Sequence, residues 1–210
     1  MRLVLASTSP RRHELLTLLG LRFDVVAPPF VEQVMPHISA EQQAVEFAVG
    51  KARSCIEHCS DALIIGSDTL ISLGAEVLGK PVDVADAETM LRRMAGQRHK
   101  IFTAVAMVGP EPESCEVQVA TVLVTMKPMN EDAMATYLRT GDSLGKAGAY
   151  SIQGGGATLI ERIEGDYTAA VGLPLRTVAD MLRRRGVTCP VNVAQLYARK
   201  PYPNWNRFSH

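Results

Sequence analysis

The sequence predicts an α/β or α+β protein with a mixed sheet in two lobes and a cleft between them. Buried apolar runs alternate with amphipathic helical segments along the chain. Two long strand candidates, His99–Val108 and Val117–Met126, flank a turn and should pair antiparallel. The chain has 210 residues, of which 47% are hydrophobic, enough for one substantial core or two small lobes.

The first unit of the chain is a strand followed by a helix. Arg2–Ala6 is a short apolar run of the kind that forms a buried strand. Pro10 suits the first helical position, and Ser9 before it is a favourable N-cap. Gly20 is expected to end the helix.

Hydroxyl and guanidinium side chains crowd this strand–helix junction. Ser7, Thr8, Ser9, Arg11 and Arg12 lie where free backbone amides and the positive end of the helix dipole favour an anion. The junction is thus predicted to bind phosphate.

The rest of the chain continues the alternation of strands and helices. The predicted elements are a strand at Arg22–Ala27, a helix from about Ala40 to His58, a buried strand at Ala62–Gly66, a small hairpin of Leu70–Leu73 and Val77–Leu78, a helix at Ala85–Met94, a helix at Asn130–Leu138, a strand at Ala157–Ile163 and a helix from about Leu173 to Arg185.

Asp68 is the first candidate for chemistry. It follows the buried strand directly, where open sheets place their ligand-binding loops, although a turn or cap aspartate is an alternative. Glu32 lies in a loop, and two carboxylates with phosphate oxygens suit Mg²⁺ or Mn²⁺. Lys51, late in a helix, and Lys80, in a turn before a proline, are each weak evidence alone. Together these residues indicate a catalytic site acting on a polyanion.

A glycine-rich stretch, "GKAGAYSIQGGG" at residues 145–156, is the next candidate. Small residues let a backbone approach a ligand closely, and Gln153 offers donors and acceptors that could read a base edge. The hydroxyl of Thr69, beside Asp68, could bond a base or a phosphate. An ordinary flexible loop is the alternative for the stretch.

Bulk composition excludes several classes of protein. The formal net charge is +0, which argues against a globally basic nucleic-acid binder. We find no membrane span and no signal peptide, and the chain's 4 cysteines do not suggest a disulfide scaffold. A cytoplasmic protein is expected. Cys55, His58 and Cys59 share a helical turn but lack a second pair of zinc ligands.

The last stretch, Val187–His210, has no acidic side chain and is rich in aromatic residues and proline near its end. With Arg183–Arg185 it could form a basic–aromatic nucleic-acid surface. The alternative is a solvated helix end with a tail that packs on the domain or is disordered. The neutral net charge favours the second interpretation.

Several segments, in this order, resemble the Maf family of nucleotide pyrophosphatases. They are "ASTSPRR" near the start, Glu32, Lys51 in "GKA", "GSDT" at 66–69, "GKP" at 79–81, "GQRHKIFTAV" at 96–105, "KAGAYSIQG" at 146–154 and "EGDYTAAVGLPL" at 164–175. The resemblance covers about Leu3 to Gly186 and implies one two-lobed domain over residues 1–186, with a fold related to the inosine triphosphate pyrophosphatases. Residues 187–210 form an extension outside it.

The resemblance also implies hydrolysis of nucleoside triphosphates to monophosphate and pyrophosphate with a divalent metal. Arg11, Thr69 and Gln153 match the branch that acts on dTTP and UTP. The catalytic residues are expected to be Asp68, Glu32, Lys51 and Lys80, with Asp68 and Glu32 holding the metal. The substrate-binding residues are expected to be Ser7, Ser9, Arg11, Arg12, Thr69 and Gln153.

Two other functions stay open at this point. The chain could be a nucleotide- or nucleic-acid-binding regulator of cell division that does no chemistry, or the same hydrolase acting on modified nucleotides. Apart from the nucleoside triphosphate, we expect a homodimer, no membrane partner and no nucleic-acid partner.

Overall fold

The computed structural model describes residues 1–33, 35–111 and 114–208. Its centre is a seven-stranded mixed sheet in the order β2-β1-β3-β5-β6-β7, with β4 paired to β3. The strands are β1 (Arg2–Ala6), β2 (Asp24–Val26), β3 (Ala62–Leu73), β4 (Glu76–Leu78), β5 (Arg98–Val108), β6 (Cys115–Met126) and β7 (Ile160–Glu164). β1 runs parallel to β2 and β3, whereas the remaining pairs are antiparallel. The predicted α/β class is confirmed.

The described helices flank this sheet. They are α1 (Pro10–Thr17), α2 (Ala40–Arg53), α3 (Val84–Met94), α4 (Glu131–Leu138), α5 (Tyr167–Val171), α6 (Leu175–Arg184) and α7 (Val193–Arg199). Short 3₁₀ turns lie at Ile56–His58, Ala147–Ala149, Gly155–Leu159 and Trp205–Phe208. None of these helices is long and apolar enough to cross a membrane.

Different helices cover the two faces and the two ends of the sheet. The alanines of α2 pack on one face, and α1 and α6 bury their leucines in the cluster on the other. At the far end, α3 packs against α4 and the Ala147–Ala149 turn. The expected two lobes are thus the two ends of one continuous sheet, because β3, β5 and β6 are long enough to run through both.

Several local predictions are confirmed. Asn130 caps α4 by accepting a hydrogen bond from the backbone of Ala133, 2.9 Å away. The hairpin of β3 and β4 pairs Ile71 with Leu78, and β5 pairs with β6 from Arg98 to Val108. These features depend on short-range patterns, which a sequence carries directly.

The prediction that the third strand ends before Asp68 is wrong. β3 continues to Leu73 because β5 pairs with it past that point, with Asp68 opposite Ala104. On its other edge, β1 pairs with β3 as far as Gly66 and β4 pairs from Ile71 onward. Residues 67–70 therefore have β5 on one side and an opening between β1 and β4 on the other.

Other boundaries also differ from those predicted. α2 ends at Arg53 rather than near His58, because the chain turns into the 3₁₀ segment Ile56–His58. β7 starts at Ile160 rather than Ala157, after a 3₁₀ turn. The short helices α5 and α7 were not predicted, since neither is long enough to show a clear apolar periodicity.

The C-terminal extension packs on the domain. Leu196, Tyr202, Trp205 and Phe208 are buried members of the main hydrophobic cluster. Because Trp205 is 2% exposed and Phe208 is 6% exposed, their rings are not available as stacking platforms. Among the basic residues before the extension, Arg184 bonds Glu116 at 2.5 Å and Arg185 bonds Ser114. The extension therefore packs on the domain, as the alternative interpretation predicts.

Candidate active site

A cavity of about 720 Å³ lies at the opening beside residues 67–70 of β3. Its size is in the range of pockets that hold small ligands. Every predicted site residue lines it: Ser7, Ser9, Arg11, Arg12, Glu32, Lys51, Asp68, Thr69, Lys80 and Gln153. Residues that are far apart in sequence are thus brought to one cavity, as the resemblance implies.

The alternation of side chains along β3 divides the site into two groups. Successive strand residues point to opposite faces, so Asp68 shares the face of Gly66 that is covered by α2. Thr69 points to the other face, where its hydroxyl lies 3.3 Å from Nη2 of Arg12 at the start of α1. The opening in the sheet edge lets both groups reach the same cavity.

Small residues allow α2 to approach β3 closely. A Cβ atom on Gly66 would lie 2.2 Å from the backbone oxygen of Ala48 and 2.9 Å from the Cβ of Ala52. Such distances leave room only for glycine at this position. Lys51, which precedes Ala52, is thereby brought within reach of Asp68.

Lys51 joins the two predicted carboxylates. Its Nζ lies 2.5 Å from Oδ1 of Asp68 and 2.5 Å from Oε1 of Glu32. Asp68 is 4% exposed, and its other oxygen, Oδ2, has no hydrogen-bond partner among the described residues. A buried carboxylate oxygen without a partner is costly, so this atom is poised to accept a ligand.

Aromatic packing holds the loop that carries Glu32. The Phe30 ring lies 6.1 Å from the Phe47 ring of α2, measured between centroids. It also fills the space over Gly50, where a Cβ would meet a ring atom at 2.2 Å. Glu32, two residues after Phe30, is thereby anchored near Lys51.

The first turn of α1 places the phosphate-binding candidates. Arg12 donates from Nε to the carbonyl of Gly172 at 3.1 Å, and its Nη2 lies 3.9 Å from Oδ1 of Asp68. Burial lowers the pKa of Arg12 below its usual value, while the charges of Asp68 and Glu32 act in the opposite direction. A buried guanidinium whose charge is only partly compensated favours an anionic ligand.

The serines of this turn differ in role from the sequence-based expectation. Ser9 occupies the N-cap position, but its side chain makes no cap hydrogen bond. Its backbone N–H instead donates to Oγ of Ser7 at 3.1 Å. The first-turn amides of α1 therefore have no side-chain cap of their own, as an anion site at a helix start requires.

Lys80 and Gln153 also line the cavity. Lys80 follows β4, and the carbonyl of Gly79 accepts a hydrogen bond from the backbone of Gly148 at 3.0 Å. Gln153 is bonded through Nε2 to the hydroxyl of Tyr202, a residue of the C-terminal extension.

Several residues around the site were not predicted. Thr103 of β5 bonds the hydroxyl of Thr69 at 3.0 Å and the carbonyl of Ala169 at 2.8 Å. The carbonyl of Gly172 accepts from both Arg12 and Ser67. Thr103 and Gly172 lie in segments that carry the family resemblance, but no local pattern indicates their roles, because their partners are distant in sequence.

The donor set fits a divalent cation completed by substrate oxygens. Among the described residues, no group of three or more His, Cys, Asp and Glu side chains could hold a metal, and this includes the turn with Cys55, His58 and Cys59. The carboxylates of Asp68 and Glu32 already share one cation, the ammonium of Lys51. Mg²⁺ is commonly bound by one or two carboxylates together with phosphates.

The chain is similar to known proteins over most of its length. The family model described as Maf-like protein matches residues 2–185. The dTTP/UTP pyrophosphatase of Moorella thermoacetica is 43% identical over 190 residues, covering 89% of this chain and 96% of that protein. The dTTP/UTP pyrophosphatase of Geobacter sulfurreducens is 40% identical over 185 residues, covering 88% of this chain and 97% of that protein.

Among solved structures, the Ham1 protein of Staphylococcus aureus aligns over 60% of this chain and 72% of its own, with 16% identity and a TM-score of 0.43. The family match spans nearly every element that builds the cavity, from β1 to α6. With relatives at this identity along almost their whole length, the chain belongs to the Maf family.

Proposed function

We propose that this protein hydrolyses nucleoside triphosphates between the α- and β-phosphates, releasing a nucleoside monophosphate and pyrophosphate. The observation that carries the proposal is the cavity in which Lys51 joins Asp68 and Glu32 beside the start of α1. We propose dTTP and UTP as the preferred substrates, because the similar proteins of Moorella and Geobacter bear that name.

The phosphates are bound by the first turn of α1. The free amides of the turn, the hydroxyls of Ser7 and Ser9, and the guanidinium groups of Arg11 and Arg12 supply donors and positive charge. Arg12 is held in place by Gly172 and Thr69, so its position is set before substrate arrives. Such pre-positioned donors cost no reorganisation during the reaction.

Asp68 serves as the general base. A water oxygen bonds to the α-phosphorus, the bond from that phosphorus to the bridging oxygen breaks, and pyrophosphate leaves. The proton from the water goes to Oδ2 of Asp68, the carboxylate atom without a protein partner. Lys51 and Lys80 offset the negative charge on the leaving group. When bound, Mg²⁺ or Mn²⁺ held by Asp68 and Glu32 would neutralise part of the phosphate charge.

Gln153 and Thr69 face the nucleobase in this proposal. Gln153 lines the cavity and offers an amide to the base edge. The hydroxyl of Thr69 already contacts Arg12 and Thr103, so it links the phosphate-binding residues to the base pocket.

The first test is pyrophosphate release from a panel of nucleoside triphosphates, with and without Mg²⁺ or Mn²⁺. We expect metal-dependent release that is strongest for dTTP and UTP. Asp68→Asn should lower the rate by roughly 10²–10³, a loss typical of removing one electrostatic or acid–base group. The matched control is Asp180→Asn, since Asp180 lies exposed on α6 and pairs with Arg183.

Other outcomes separate the alternatives. Wild-type activity in Asp68→Asn would remove Asp68 as the base. Faster turnover of a modified nucleotide would keep the chemistry and change the substrate. Binding without turnover of any nucleotide would favour a regulator.

We also propose a cytoplasmic location and a homodimer. The described cysteines are all free thiols, which suits a reducing compartment. Sedimentation analysis of the purified protein tests the dimer, and a single species with the mass of one chain would contradict it.

A further inference from the structure

We propose that the C-terminal extension positions Gln153 in the cavity, through Tyr202 and Asn204, and so contributes to the choice of nucleobase. This inference rests on the proposed function. The family match ends at residue 185, so both positioning residues lie outside it.

The hydroxyl of Tyr202 fixes which end of the Gln153 amide faces it. Tyr202 lies 2.5 Å from Oε2 of Glu14 and also bonds the Gln153 side chain. A carboxylate only accepts hydrogen bonds, so the Tyr202 hydroxyl donates its proton to Glu14. Its oxygen must then accept from Gln153, and only Nε2 of that amide can donate.

Oε1 of Gln153 is the atom this arrangement leaves for a ligand. No donor among the described residues bonds it, while Nε2 is held by Tyr202. An acceptor in a fixed position selects a base edge that presents a donor. Uracil and thymine carry an N–H at ring position 3, whereas the corresponding nitrogen of cytosine is an acceptor. The geometry therefore favours UTP and dTTP over CTP.

Asn204 holds the backbone beneath Gln153. Its Nδ2 donates to the carbonyls of Ile152 and Gln153, both at 2.9 Å. Asn204 adopts a left-handed backbone conformation, with φ of +62°, which asparagine tolerates better than most residues. The extension thus contacts both the side chain and the backbone of this pocket wall.

The extension is itself firmly anchored. Trp205 and Phe208 both stack on Tyr167. The centroid of the Tyr167 ring lies 5.8 Å from that of Trp205 and 6.2 Å from that of Phe208. Tyr197 donates from its hydroxyl to Oδ2 of Asp166 at 2.7 Å. Because these anchors are buried or partly buried, Tyr202 and Asn204 are fixed relative to the cavity rather than resting on its rim.

The test compares Tyr202→Phe and Asn204→Gly with wild type, in the full chain. Tyr202→Phe removes only the hydroxyl, and glycine keeps the left-handed backbone while removing the side-chain donors. We expect the ratio of kcat/KM for UTP over CTP to fall about tenfold in each, the scale of one lost hydrogen bond. KM for UTP should change more than kcat, since the base is remote from the reacting phosphorus.

The matched control is Tyr197→Phe, which removes a hydroxyl of the same extension that bonds Asp166 and Thr168 rather than Gln153. It should keep the wild-type ratio. Trp205 is the protein's single tryptophan, so its fluorescence reports whether the extension stays docked in each variant.

An unchanged UTP/CTP ratio in folded, docked Tyr202→Phe would overturn the inference, as would an equal change in Tyr197→Phe. Calorimetric titration of the protein with UTP and with CTP separates this result from failure of the proposed function. If the wild type binds UTP more tightly than CTP but hydrolyses neither, the proposed function is wrong and the inference about Gln153 is still tested by binding. In that case, a Tyr202→Phe variant that keeps the wild-type preference for UTP overturns the inference, and one that loses this preference supports it. A wild type that binds both equally overturns the inference.

Discussion

His99 is buried next to a residue that lines the cavity, and only one of its two ring nitrogens has a hydrogen-bond partner among the described residues. Its Nε2 is 2.7 Å from the hydroxyl of Tyr150, which lines the cavity, and its Nδ1 has no partner among the described residues. Burial lowers the pKa of His99 to about 4. A neutral imidazole is therefore part of the folded state, and the charged form is excluded from it.

At the residue scale we predict a stability that depends on pH through His99. Because the pKa falls from 6.5 to about 4 on folding, the unfolded chain binds the proton more tightly. The contribution of neutral His99 to the free energy of unfolding is therefore fully present above pH 6.5. This contribution is lost as the pH falls toward 4, and the loss is about 3 kcal/mol.

Urea unfolding of wild type and His99→Gln across this range measures the effect. The variant should lose about 3 kcal/mol less between neutral pH and pH 4, because glutamine does not titrate. Parallel pH profiles for the two proteins would contradict the prediction.

At the scale of elements, the contact between α2 and β3 determines the geometry of the site. Gly66 lies against the backbone of Ala48, and the closeness of this contact lets Lys51 reach Asp68. The contact is between a strand and a helix backbone, so side-chain repacking cannot relieve a clash there.

We predict that Gly66→Ala destabilises the fold by about 1–3 kcal/mol, the usual cost of overpacking. It should also lower turnover, since α2 would shift and carry Lys51 away from Asp68. Urea unfolding and pyrophosphate release measure the two effects. Gly79→Ala is the control for stability, because a Cβ there meets nothing within 4 Å. Equal stability of Gly66→Ala and wild type would contradict the close packing.

At the scale of the whole molecule, the C-terminal extension is part of the folded core. Trp205 and Phe208 belong to the same hydrophobic cluster as the helices α1 and α6. The extension therefore contributes to stability in addition to its contacts with the cavity wall.

We predict that Trp205→Ala lowers the free energy of unfolding by about 3–5 kcal/mol, as deletion of a large buried aromatic side chain does. Circular dichroism during urea unfolding measures this, since the variant lacks the fluorescent residue. Asn206→Ala, at the exposed neighbouring position, should change stability by less than about 0.5 kcal/mol. Similar losses in both variants would mean that burial of Trp205 is not the cause.

The amino-acid sequence determined the features that depend on neighbouring residues. The strand Arg2–Ala6 and the hairpin around Gly74 follow from apolar runs and turn residues. The crowding of Ser7, Ser9, Arg11 and Arg12 at a helix start indicated phosphate binding because the backbone there favours anions. The Maf family, too, could be identified from ordered short segments.

Only the tertiary structure decided how those pieces meet. The opening between β1 and β4, the contact of Lys51 with both Asp68 and Glu32, and the docking of Tyr202 on Gln153 join residues distant in sequence. Pairing with β5 carried β3 through Asp68, where local pattern predicted its end. Such contacts form because burial and hydrogen bonding across the whole chain outweigh local preference, and no short segment records them.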